Sequence, residues 1–207
     1  MIKICGITSR DDAQVAADAG AGAIGLMFYD KSSRAVGLDQ AGGIVAGLSP
    51  WVGRVGVFVN PPVDLVWQAI HAAQLTILQF HGEETPEFCG QFGLMTMKAF
   101  RVKDTSSLDQ LTDYPTDAWL LDAYSQTGHG GTGEQFNWDL AIAAKNRGRP
   151  IVLAGGLTPE NVGAAIMQVQ PFGVDVSSGV EMAPGRKDPE KVRKFVAEAK
   201  AAYASLG

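Results

Sequence analysis

Eight short apolar, β-rich runs recur along this chain, and the stretches between them have the length and pattern of helices. The runs fall at 2–5, 23–28, 52–59, 75–80, 95–100, 118–122, 151–154 and 174–176. Amphipathic or alanine-rich segments at 11–19, 62–73, 138–146 and 159–169 are long enough for crossover helices, and Asp188-Pro189 opens a last helix through Ala204. Eight strands, each followed by a helix, in 207 residues predict a (β/α)₈ barrel forming a single domain over 1–207. The alternative, a doubly wound open sheet, brings fewer strands and a glycine-rich fingerprint after the first, which Cys5-Gly6-Ile7-Thr8 does not supply. A chain of this length buries roughly 70% of its unfolded surface, so a full core is available.

Several function classes are disfavoured. Net charge is −5, which argues against a nucleic-acid surface. Without an apolar run of about 18 residues or a leader before Ile2, the chain reads as cytoplasmic, with no membrane partner. Two cysteines, Cys5 and Cys89, are expected as free thiols. Three scattered histidines make no metal set, so no metal is expected, and His71 and His129 are read as solvated.

Strand alternation makes a sharper statement. Lys3 and Cys5 share one face of the first strand, Ile2 and Ile4 the other. The apolar pair suits the helix side, which turns Lys3 into the barrel. A buried lysine needs a partner, and Asp175 on the closing strand is the expected one.

In such barrels reaction chemistry sits at the carboxyl ends of the strands. Here those ends carry Cys5, Gln79-Phe80-His81-Gly82, Asp122, Gly155-Gly156 and Ser177-Ser178-Gly179. The two glycine-containing segments follow strands seven and eight, where backbone amides without an intervening Cβ commonly hold a phosphate. A small phosphorylated substrate is expected.

The landmarks Lys3-Ile4-Cys5-Gly6-Ile7-Thr8, Val57-Phe58-Val59-Asn60-Pro61, Gln79-Phe80-His81-Gly82, Leu121-Asp122-Ala123, Gly130-Gly131-Thr132-Gly133, Leu153-Ala154-Gly155-Gly156-Leu157 and Gly173 through Glu181 occur in order. Through them nearly the whole chain resembles the phosphoribosylanthranilate isomerases of tryptophan biosynthesis. The resemblance implies a cofactor-free Amadori rearrangement with Asp122 as general acid and Cys5 as general base. Those roles ask Asp122 to hold a proton and Cys5 to give one up, and Lys3 is the cation expected to lower the thiol's pKa.

Given an anthranilate ligand, Arg34 is the natural partner for its carboxylate. The chain departs from the family pattern at Ala35, where an aromatic residue usually follows the arginine, and at Phe80, where leucine is usual. His81 is read either as a substrate contact or as a hydrogen-bonding residue of the barrel mouth. The stretch 128–133 is read as a loop closing on substrate, and Cys89 as an inert thiol in the fourth helix. A monomer and a homodimer are both compatible with the sequence. The rivals are an epimerase or histidine-pathway isomerase on the same phosphate-binding barrel, and a protein that binds sugar phosphates without turnover.

Overall fold

A computed structural model describes residues 1–123 and 138–207. Its parallel strands are β1 (Ile2–Cys5), β2 (Ala23–Met27), β3 (Gly53–Phe58), β4 (Ile77–Phe80), β5 (Met95–Val102), β6 (Ala118–Ala123), β7 (Ile151–Ala154) and β8 (Gly173–Val176). They close in chain order into one barrel, with β8 against β1 and Lys3 opposite Asp175 at the seam. The expected (β/α)₈ architecture is the observed one, and each expected run ends within two residues of its strand.

Helices α1 (Arg10–Ala19), α2 (Leu38–Val45), α3 (Val63–Ala73), α4 (Pro86–Gly90), α5 (Trp138–Lys145), α6 (Val162–Val169) and α7 (Pro189–Ala204) surround the barrel. Two layers of apolar packing follow from strand alternation. Ile2, Ile4, Ile24, Leu26, Leu78 and Leu121 face the helices in one large core. Inside the barrel, Cys5, Ala23, Val55 and Val57 form one cluster and Met97, Ala99, Leu120, Val152 and Ala154 another. Burying each larger aliphatic side chain stabilises the fold by about 1.5–3 kcal/mol.

A helix after every strand is not what the chain builds. The β5–β6 connection holds two 3₁₀ turns, Thr105–Leu108 and Leu111–Asp113. Asp104 Oδ1 accepts from Ser107 N at 3.0 Å and from the hydroxyls of Ser106 at 2.7 Å and Ser107 at 3.0 Å. These short polar side chains capture donors that a helix would need. The helix expected over 159–169 likewise starts later, at Val162. Asn161 Oδ1 accepts from Thr158 N at 2.8 Å and its amide donates to Gly156 O at 2.9 Å, which holds 158–161 as a turn.

After β8 comes a feature the sequence pattern did not announce, an antiparallel hairpin of β9 (Glu181–Ala183) and β10 (Arg186–Lys187). Among the described residues no helix is long and apolar enough to cross a membrane.

Candidate active site

At the carboxyl ends of the strands lies a cavity of about 570 Å³, within the range of small-ligand sites. Cys5, Arg34, His81, Asp122, Gly155, Gly156, Asp175, Ser177, Ser178 and Gly179 all line it. Among the expected site residues Lys3 alone does not reach the surface of the cavity.

Lys3 is 0% exposed, and its Nζ donates to Asp175 Oδ2 at 2.9 Å. Its charge also acts on the neighbouring thiol of Cys5. Burial by itself lowers the lysine's pKa, but Asp175 and Cys5 together carry it above the ordinary value, so the ammonium stays charged. Gly25 on β2 leaves room for this arrangement: a Cβ there would lie 2.7 Å from Cys5 Sγ.

The thiol itself departs from expectation. Burial pushes its pKa above the ordinary range, and the lowering by Lys3 is not enough to reverse this, because Asp175 opposes it. Lys3 does favour the thiolate, but burial and the Asp175 carboxylate together outweigh it.

Asp122 ends β6 opposite the cavity wall of β7, where it pairs with Ala154. Its Oδ2 lies 3.3 Å from His81 Nε2, while His81 Nδ1 lies 3.3 Å from the Gln79 amide nitrogen. With that amide donating to Nδ1, the imidazole hydrogen sits on Nε2 and points at Asp122. Of the two readings of His81, the hydrogen-bonding one therefore has a concrete geometry.

Gly155 and Gly156 after β7 take φ of +80° and +65°, a left-handed backbone that favours glycine. Gly179 meets the same loop: a Cβ there would lie 1.9 Å from Leu157 O. The β7 and β8 loops thus pack backbone to backbone and form a continuous concave rim. Such a rim, with the hydroxyls of Ser177 and Ser178, suits a phosphate.

Arg34 already has a carboxylate partner. Its Nε and Nη2 donate to Glu181 Oε1 and Oε2 at 2.8 and 2.7 Å. Arg101, at the end of β5 and opposite Asp122 in register, also lines the cavity. Neither Glu181 nor Arg101 was singled out from sequence. Arg101 had a signal, since it shares strand parity with the inward Met97 and Ala99. Glu181 had none, because nothing local marks a hairpin strand that reaches back to the β2 loop. The stretch 128–133, read as a closing loop, and His129 lie outside the described residues.

A sequence profile of N-(5'-phosphoribosyl)anthranilate isomerase matches residues 2–198. The chain belongs to that family. It is 54% identical over 199 residues to N-(5'-phosphoribosyl)anthranilate isomerase of Citrifermentans bemidjiense, covering 96% of each chain. The fold superimposes on the crystal structure of phosphoribosyl anthranilate isomerase from Thermotoga maritima with a TM-score of 0.90 and 40% identity, over 97% of this chain and 98% of that one. A further crystal structure, phosphoribosyl anthranilate isomerase in complex with reduced 1-(o-carboxyphenylamino)-1-deoxyribulose 5-phosphate, gives a TM-score of 0.87 at 39% identity, over 97% and 98% of the two chains. Membership in the phosphoribosylanthranilate isomerase family makes this chain an isomerase.

Proposed function

We propose that this phosphoribosylanthranilate isomerase of tryptophan biosynthesis works by general acid and base catalysis, with Asp122 as the acid and Cys5 as the base. One observation carries the reading: Cys5 on β1, Asp122 on β6 and the glycine-rich rim after β7 and β8 open into a single cavity. In this reading the rim holds the 5′-phosphate, which fixes the sugar between the two proton-transfer groups. The Arg34 guanidinium receives the anthranilate carboxylate, as a phosphorylated carboxyphenylamino sugar bound to a family relative supports.

Asp122 gives its proton to the furanose ring oxygen, the C1′–O bond breaks, and the nitrogen lone pair forms a cationic Schiff base. Cys5 removes the C2′ proton, and the electrons move to neutralise the nitrogen as an enolamine. The enolamine tautomerises to the ketone, so the product is an isomer of the substrate. No covalent bond between Cys5 and the sugar is involved.

Burial raises the thiol in the free protein, so its deprotonated form needs a further cation. The Schiff base supplies one as the ring opens, beside the carbon whose proton leaves. Lys3 then serves as the fixed positive neighbour that keeps the thiolate hydrogen-bonded. His81, with its hydrogen on Nε2, holds the Asp122 carboxyl in place.

Fluorescence assays of phosphoribosylanthranilate consumption test these roles. Cys5→Ser and Asp122→Asn are each expected to lower kcat by about 10²–10⁴-fold with KM changed little. Wild-type rates in either variant would remove that residue from the mechanism. A wild-type chain without turnover would favour the sugar-phosphate binder instead.

A further inference from the structure

The β9–β10 hairpin is additional to the eight-stranded barrel, and its side chains bond two residues that line the cavity, Arg34 and Ser177. Glu181 opens β9, and Lys187 faces it from β10; both are buried, at 9% and 1% exposure. Glu181 Oε1 accepts from Arg34 Nε and from Lys187 Nζ, each at 2.8 Å, while its Oε2 accepts from Arg34 Nη2 at 2.7 Å. Lys187 Nζ also donates to Ser177 O at 3.2 Å, so the rim after β8 hangs on the same charged cluster.

The hairpin is itself anchored at several points. Lys187 N donates to Asp12 Oδ2 on α1 at 3.2 Å, and the Thr8 hydroxyl donates to Gly185 O. Gly185, at φ +77°, packs against the Arg34 loop so closely that a Cβ would lie 3.1 Å from Ser33 O. Two cations share one carboxylate, which leaves the cluster one positive charge in excess. Burial alone would raise the Glu181 carboxyl, but Arg34 and Lys187 outweigh it and hold the group below its ordinary value.

The geometry leaves part of Arg34 open. A guanidinium has five N–H donors, and Glu181 takes two of them along the Nε–Nη2 side. Among the described residues nothing bonds the remaining three, on Nη1 and Nη2, and that end can make a bidentate carboxylate contact.

We propose that the hairpin is a specificity device, in which Glu181 is a positioning residue that locks the side edge of Arg34 and sets its end edge at a fixed span from the Ser177–Gly179 rim. The span selects sugar phosphates that carry an aromatic carboxylate over those that lack one. This inference rests on the reading of Arg34 as the carboxylate partner given above.

The test compares kcat/KM for phosphoribosylanthranilate with that for N-(5-phosphoribosyl)aniline, which lacks the carboxylate. Arg34→Gln is expected to lower the preference for the carboxylated substrate about 100-fold, and Glu181→Gln about tenfold. The aniline compound's kcat/KM and the inhibition constant of ribose 5-phosphate should stay within about threefold in Glu181→Gln, since neither ligand uses the end edge of Arg34 and the glutamine Oε1 still accepts from Lys187, which holds the rim through Ser177 O. In an Arg34→Gln background, Glu181→Gln should change the preference no further, the signature of a residue acting through another.

An unchanged preference in Arg34→Gln overturns the reading of Arg34 itself. A drop there, combined with equal losses on both substrates in Glu181→Gln, overturns the hairpin inference alone. Should Glu181→Gln not fold, Glu181→Asp withdraws the carboxylate by one methylene and keeps its charge. It is expected to lower the preference about threefold, and an unchanged preference there also overturns the inference.

Discussion

The seam between β1 and β8 and the seam between β4 and β5 hold the same three side-chain types, a buried lysine, a carboxylate and a thiol. At the first, Lys3 bonds Asp175 and acts electrostatically on Cys5, and the thiol lines the cavity. At the second, Lys98 donates to Glu84 Oε2 at 2.8 Å and to Gly82 O, while Cys89 sits fully buried on α4. Glu84 also accepts from Asn60 N at 2.7 Å and Gly82 N at 2.9 Å, which ties the loop after β3 to the loop that follows His81. The difference is one of strand parity. Lys3 points to the barrel axis beside Cys5, whereas Lys98 lies between the inward Met97 and Ala99 and points outward. The same residue types face the cavity on one side of a strand and tie loops together on the other.

The largest expected effect breaks both lysines in turn. Lys3→Met leaves Asp175 buried without its cation, and Lys98→Met does the same to Glu84, each costing about 3–5 kcal/mol in urea unfolding. Activity separates them. At temperatures where both variants are folded, Lys3→Met should lose at least about 100-fold in kcat, since the thiol loses its fixed cation, and Lys98→Met less than about tenfold. Equal losses in kcat would dissolve the distinction between the two seams.

A smaller effect concerns thiol reactivity in the free protein. Burial raises Cys5, and burial pushes Cys89 up to about 12. Only the thiolate attacks iodoacetamide, so labelling of Cys5 should be slow at pH 7 and accelerate as pH rises. Cys89, fully buried, should label only as the chain unfolds. Rapid labelling of Cys5 at pH 7 would show that Lys3 governs the thiol more strongly than burial does.

How much of this was legible in the sequence follows the same parity logic. Lys3 facing Asp175 could be read from the alternation of four residues and the closure of the barrel, and the register places them directly opposite. The convergence of Cys5, Asp122 and the rim glycines followed from their places at strand ends. The direction of the thiol's shift was not legible, because it depends on how completely the thiol is buried and how far burial, with Asp175, outweighs Lys3. Glu181 and Lys187 were hidden for another reason. Their partners, Arg34 and Ser177, are brought to them by a hairpin whose strands are too short to show a period-two pattern. The two 3₁₀ turns after β5 escaped because side-chain capture of backbone donors by Asp104 overrides the helix that the strand count suggests.

The smallest effect isolates Cys89. Cys89→Ala removes a buried sulfur and should cost about 1 kcal/mol at pH 7 with kcat unchanged, because α4 lies outside the barrel and away from the cavity. In the unfolded chain this thiol ionises near about 8.5, while in the folded protein it holds its proton up to about 12. The neutral folded thiol therefore contributes stability that is complete below about pH 8.5 and is lost as pH rises through the folded value, since the unfolded state releases its proton first. Wild type carries that loss and Cys89→Ala does not. Urea unfolding of the two proteins at pH 7 and pH 10 should show the wild-type advantage shrinking or reversing at the higher pH, with contributions from groups that do not interact with Cys89 cancelling in the difference. An advantage that stays constant would mean that Cys89 ionises alike in both states, and the β4–β5 thiol would then be less shielded than its burial implies.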